Sequence, residues 1–179
     1  MTVLPLENQI GELLNRNHLK FVLAESCTGG LVGHRVTNVP GSSDYYLGSI
    51  TSYAYQVKEQ LLGVKPVTLK NKGAVSRECV LEMAIGVRAA LSGGFPIDQI
   101  IGVSISGIAG PGGGTTEKPV GTVWIGMSGL RGNWAWSFLW KGDRIQNKEL
   151  SAQAALQLLV WYLQGNLPQE DWHGENLEF

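Results

Sequence analysis

Residues 19–30 read LKFVLAESCTGG. The first six make an apolar run of strand length, and the next six replace it with hydroxyls, a carboxylate and two glycines, which end a strand in a turn. From about Gly30 to Asn38 a helix is expected, closed by Pro40, because the residue before a proline is driven out of the α region. Buried strand, glycine turn and helix in that order are the building unit of an α/β sheet. Upstream, Leu6, Ile10, Leu13 and Leu14 recur at helical spacing, so the chain opens helix, strand, helix.

Downstream the alternation continues. LGSITSY (47–53) favours a strand, and Val57, Leu61 and Leu62 before Gly63 predict a helix that a glycine ends, with Lys58 in its first turns. Ser76 is an N-cap candidate for a helix whose core face is Val80, Met83, Ala84, Val87 and Leu91, terminated by Gly93 and Gly94. Ile100 to Ile105 is a glycine-softened strand leading into SGIAGPGGGTTEKP (106–119), a loop with five glycines among fourteen residues. VGTVWIGMSG (120–129) and GNWAWSFLW (132–140) read as a hairpin turning near Gly129 to Asn133. Asp143 with Gln146 resembles a capping box in which Asp replaces Ser or Thr, and Ala152, Leu156, Leu159 and Leu163 form a core stripe up to Gly165. The expected fold is α/β, a three-layer sandwich with a mixed, mostly parallel sheet covered by helices. One domain is expected over 1–165, with a polar tail, frayed or draped, over 166–179.

Composition narrows the partners. The 179 residues suit one domain with a real core, and a formal net charge of -1 with 14 scattered Lys+Arg argues against a nucleic-acid footprint. A small solute is the expected partner. No apolar run reaches the roughly 18 residues of a membrane span, and MTVLPLENQ lacks the basic flank and apolar stretch of a signal peptide, so no membrane partner and a cytoplasmic location are expected. Cys27 and Cys79 are too distant for a CxxC site and too few for a disulfide framework. His18, His34 and His173 form no HxH or HExxH pattern and no carboxylate cluster accompanies them at ligand spacing, so no protein-bound metal is expected.

Three segments place glycines beside hydroxyls at strand ends, where open α/β sheets bind ligands: Glu25 to Gly30, Gly41 to Ser43, and Ser106 to Gly114. The turn ESCTGG aims backbone N–H groups and a helix N-terminus at one spot, which favours an anion or oxyanion there; the alternative is a plain turn with an N-cap. The long glycine loop is neither GxxxxGK[ST] nor a GxGxxG followed by an acidic residue, although its backbone with Thr115, Thr116 and Lys118 is suited to a phosphate or carboxylate. Cys27 near a helix start is intrinsically the most reactive nucleophile, or else a small buried core residue. No Ser-His pair suggests itself. Lys58 lies in a largely apolar helix, five residues after Tyr53; desolvated, it is a base, and solvated, it is an ordinary helix residue.

AESCTGG (24–30), PGSS (40–43), Tyr53 with Lys58 and LLGV (61–64), GAVS (73–76), SGIAGPGGG (106–114), EKPVGTVWIG (117–126) and GDR (142–144) occur together in that order. In this the chain resembles, from about Leu6 to Leu163, the CinA C-terminal domain family, the nicotinamide mononucleotide deamidases. The resemblance implies the stand-alone form, without the molybdopterin-binding-like domain of longer members. It also implies a cofactor-free serine amidohydrolase of the Ser/Lys type that converts nicotinamide mononucleotide to nicotinate mononucleotide and ammonia. Carried over by position, the nucleophile is Ser43, with Ser26 as the alternative, and the base is Lys58 assisted by Tyr53. Ser26, Thr28 and Ser106 line the site, with Gly29 and Gly107 beside them. Arg144 meets the substrate phosphate, and Glu25 holds a loop or a ribose hydroxyl.

The chain departs from the family's YSNxxK at residues 53–58, YAYQVK, where Tyr55 stands in place of asparagine. Tyr55 either stacks on a pyridine ring, reshapes the pocket or faces away. Two rivals stand beside the amidohydrolase: a non-catalytic nucleotide-binding or competence- and recombination-associated interaction module, and an amidase for a different N-ribosyl carboxamide. The alternation in NWAWSFLW (133–140) could expose an aromatic face for self-association, so a homodimer is expected.

Overall fold

In the computed structural model, which describes residues 4–174 and 177, five strands form one sheet. They are β1 (Lys20–Glu25), β2 (Tyr46–Thr51), β3 (Ile100–Gly107), β4 (Thr122–Gly129) and β5 (Gly132–Leu139), in the spatial order β2-β1-β3-β4-β5. β1 is parallel to both β2 and β3, while β4 is antiparallel to β3 and β5. Four strands therefore run one way and β4 runs against them, a mixed sheet as the sequence suggests. The hairpin turn falls at Leu130 and Arg131, between the two long strands.

Six helices cover the two faces. On one lie α1 (Leu6–Arg16), α2 (Leu31–Thr37) and α6 (Arg144–Gln164); on the other lie α3 (Tyr55–Leu62), α4 (Pro66–Lys72) and α5 (Arg77–Ala90). Because side chains alternate across a strand, β1 serves both cores: Phe21 and Leu23 join the first layer, Val22 and Ala24 the second. Such burial on both faces is why LKFVLA is a continuous apolar run rather than an alternating one.

β3 treats its two faces differently. Ile101, Val103 and Ile105 enter the α6 core, while Gly102 and Ser104 face α5. A Cβ on Gly102 would stand 2.3 Å from the Ala84 carbonyl oxygen, and one on Gly126 of β4 would stand 2.5 Å from that of Val80. Ser104 Oγ between them donates to the same Val80 oxygen at 2.6 Å. The glycines that soften these strands thus let α5 lie directly on the sheet backbone.

Helix ends follow the expected signals. Ser76 Oγ accepts the Cys79 N–H, Gly63 and Gly165 end α3 and α6 in the left-handed region, and Asp143 and Gln146 form the reciprocal capping box. α4 is a helix that the apolar pattern does not predict, since PVTLKNK has a short apolar face; proline at its first turn and the Glu82 carboxylate, accepting from the Lys65 N–H and Thr68 Oγ1, organise it.

Residues 166–174 are draped over the molecule. Trp136 Nε1 donates to the Gln169 carbonyl, Glu170 accepts the Ala135 N–H, and Trp172 packs edge-on against Phe138 and Trp161. The aromatic face of β5 is accordingly spent inside the chain, with Trp136 fully buried. No helix is long and apolar enough to cross a membrane among the described residues.

Candidate active site

β1 and β2 are parallel neighbours whose chains leave their carboxyl ends for opposite faces, β1 into α2 and β2 into α3. That divergence opens a crevice beyond the strand ends. A cavity of about 240 Å³ lies there, lined by Ser26, Cys27, Tyr53, Tyr55, Lys58, Ala74, Val75, Ser106, Gly107, Ala109 and Arg144.

Ser26 is the residue after β1, fixed by donating its N–H to the Ile105 carbonyl at 3.0 Å, one more rung of the β1–β3 ladder. Lys58 comes from α3 and is wholly buried. The inward positions of α3 are Lys58 and Leu62, four residues apart, so a lysine occupies a place where a hydrophobe would ordinarily sit. Its Nζ donates to Ser26 Oγ at 3.0 Å and to the Ser52 carbonyl. Burial holds the Lys58 ammonium below its usual lysine range, with the charged forms of Cys79 and Cys27 acting the other way. Both thiols are themselves pushed up by desolvation, Cys27 to about 12 and Cys79 to about 11, so each stays protonated near neutrality.

Ser43 is elsewhere. It is exposed in a short 3-10 turn (Ser42–Asp44) at the start of β2, and the crevice lies beyond that strand's other end, roughly 17 Å away at 3.3 Å per residue. The expected Ser43–Lys58 pair is therefore not formed; the strand separates them, and the serine that meets the amine is Ser26.

Of the two roles open to Glu25, a loop or a ribose hydroxyl, its contacts are those of a loop holder. It is fully buried, and its carboxylate accepts the N–H groups of Gly30 and Val32 at 3.1 Å and of Gly33 at 2.9 Å. The anion at the start of α2 is thus the protein's own side chain. Of the residues expected to touch a substrate, Ser26, Ser106, Gly107 and Arg144 line the cleft, whereas Glu25, Thr28 and Gly29 do not. Gly107 has a packing reason of its own, since a Cβ there would come 2.5 Å from Val123 Cγ2.

At the cleft mouth Arg144, first residue of α6, spreads its fork: Nη1 donates to the Gly110 carbonyl at 2.6 Å and Nη2 to Tyr53 Oη at 3.3 Å. Tyr53 is therefore held by the arginine, and among the described residues it has no bond to Lys58. Tyr55 lines the cleft rather than facing away, with its Oη accepting the Ala74 N–H at 3.4 Å. Sequence reasoning missed the Ser52 carbonyl, which a residue type cannot advertise, and the small wall residues Ala74, Val75 and Ala109. Among the described residues no group of three or more His, Cys, Asp or Glu is placed to hold a metal ion.

The model of the CinA C-terminal domain matches residues 3–163. CinA-like proteins of Salinibacter ruber and Desulfosudis oleivorans are 47% and 48% identical over 152 and 157 residues, covering 85% and 87% of this chain. The chain spans only 35% and 37% of their own lengths. Among solved structures, a CinA-superfamily protein of Klebsiella pneumoniae superposes with a TM-score of 0.82 at 28% identity, covering 89% of this chain and 96% of that one. The competence/damage inducible protein CihA of Agrobacterium tumefaciens gives 0.80 at 31% identity, with 92% and 99% covered. With a family model matched over nearly its whole length and a five-stranded sheet shared with these neighbours, the chain belongs to the CinA C-terminal domain family.

Proposed function

We propose that this protein is a serine amidohydrolase that deamidates nicotinamide mononucleotide to nicotinate mononucleotide, with Ser26 as nucleophile and Lys58 as base. The observation that carries the reading is the buried lysine amine 3.0 Å from Ser26 Oγ in a cleft with an arginine at its mouth. A serine needs a base to lose its proton, and desolvation prepares a lysine for that task by favouring the neutral amine.

In the neutral form the contact reverses, and the Ser26 hydroxyl donates to the Nζ lone pair while Nζ–H keeps its bond to Ser52. Lys58 takes the proton as Oγ bonds to the carboxamide carbon. A backbone N–H of the turn that follows β1, such as that of Cys27 next to the nucleophile in sequence, would stabilise the resulting oxyanion, an interaction worth about 2.7–4 kcal/mol. The C–N bond then breaks, the Lys58 proton passes to the amine, and ammonia leaves a nicotinoyl ester on Ser26. Lys58 then deprotonates a water, whose oxygen bonds to the ester carbon, and the Lys58 ammonium returns the proton to Oγ as the C–Oγ bond breaks. Arg144 presents planar N–H donors suited to the phosphate of the nucleotide.

The test is ammonia release from nicotinamide mononucleotide by metal-stripped protein, beside Ser26→Ala and Ser43→Ala. Turnover lost by at least ~10³-fold in Ser26→Ala and near wild type in Ser43→Ala is the expected result. The reverse pattern would move the nucleophile to Ser43, and a wild type that binds the nucleotide without releasing ammonia would favour the binding-module reading.

A further inference from the structure

The cleft carries two basic side chains, Lys58 and Arg144, and among the described residues no carboxylate lines it. The acid that precedes Ser26, Glu25, is buried with its oxygens taken by α2. The substrate proposed above, on which this inference rests, bears its carboxamide on an N-ribosylated pyridinium, a ring with a formal positive charge. Such a ring is favoured beside the π face of an aromatic side chain, and among the cleft's lining residues the aromatic ones are Tyr53 and Tyr55.

Both residues line the cleft. Tyr53 is 65% and Tyr55 48% exposed, so neither is consumed by packing, yet each is held at its hydroxyl, by Arg144 Nη2 and by the Ala74 N–H. Tyr55 stands three residues before Lys58 on α3, one helical turn from the base. The structure assigns Tyr55, with Tyr53 beside it, as a specificity-determining residue that selects a cationic pyridinium over a neutral dihydropyridine ring.

The experiment titrates Ser26→Ala protein, in which turnover is blocked, with nicotinamide mononucleotide and with its reduced form, whose ring is uncharged. Adding Tyr55→Leu is expected to weaken the oxidised ligand about 5- to 30-fold and to leave the reduced one within about twofold, while Tyr55→Phe keeps both. Equal weakening of the two ligands would make Tyr55 a plain apolar wall and overturn the assignment, as would no weakening of either. Ammonia release by the wild type reads the underlying activity separately. If it occurs and Tyr55→Leu leaves discrimination unchanged, only this inference fails; if neither ligand binds, it falls with the reading beneath it.

Discussion

Lys58 is a charge-bearing group placed where folding would ordinarily put a leucine, and its burial makes its proton a readable quantity. The lowered folded-state pKa has two consequences of known sign. In the proposed mechanism turnover requires the neutral amine, so kcat/KM should fall as pH drops through that pKa, with a limb below the ordinary lysine value of about 10.4. Lys58→Met should abolish both turnover and limb, and a surviving limb would belong to another group. In stability, the unfolded chain holds more protons than the folded one between the lowered pKa and the ordinary value. Urea unfolding should therefore show wild type gaining on Lys58→Met as pH rises through that window; below it, both states carry the proton and the full desolvation cost stands. Cys27, the neighbour of Ser26, should behave oppositely. With its thiol pushed up to about 12, Cys27→Ala should stay within about tenfold of wild-type turnover, and a larger loss with intact folding would give the thiol a part in the chemistry.

At the next scale, α2 is held by a residue outside it. Three N–H donors at its start converge on the Glu25 carboxylate, which both satisfies them and meets the positive end of the helix. Glu25→Gln should cost about 1.5–3 kcal/mol in chemical denaturation, because an amide offers one acceptor and turns N–H donors toward N–H donors. Turnover should fall with it, since Ser26 is the next residue. Unchanged stability with a raised KM would instead place Glu25 on the ligand. ESCTGG was legible as an anion-binding turn from its glycines and hydroxyls; that the anion is intramolecular was not, because sequence spacing cannot say which way a carboxylate folds back. The same limit applies to the choice between Ser43 and Ser26 as the proposed nucleophile. GSS and ESC both read as strand-end turns, but only the direction of β2 relative to the crevice tells that one lies at its entry and the other beside its exit. Capping signals fared better at Ser76, Asp143 and Gly165, since each depends on residues within one turn of itself.

The whole molecule closes its sheet unevenly. β2 and β5 are the two edges, and the chain after α6 returns along β5, where Glu170 takes the Ala135 N–H and the His173 ring meets the Ser137 carbonyl. Arg77 at the start of α5 pairs with the same Glu170 at 2.9 Å, so the tail bridges the edge strand and the opposite helical layer. Low apolar content made this segment read as a polar appendage, yet Leu167, Trp172 and Leu177 pack on the core, and three well-placed side chains outweigh the average. An edge strand with outward N–H and C=O groups is a template for another chain, and this one also carries the Trp134, Trp136, Phe138 and Trp140 row. Ending the chain at Gly165 should therefore lower unfolding free energy by about 2–5 kcal/mol, through lost apolar cover, and promote self-association through β5. Thermal melting and sedimentation velocity read the two effects. If the shortened chain kept its melting temperature and its association state, the edge would be protected by the strand's own twist and side chains, and the tail contacts would be incidental to it.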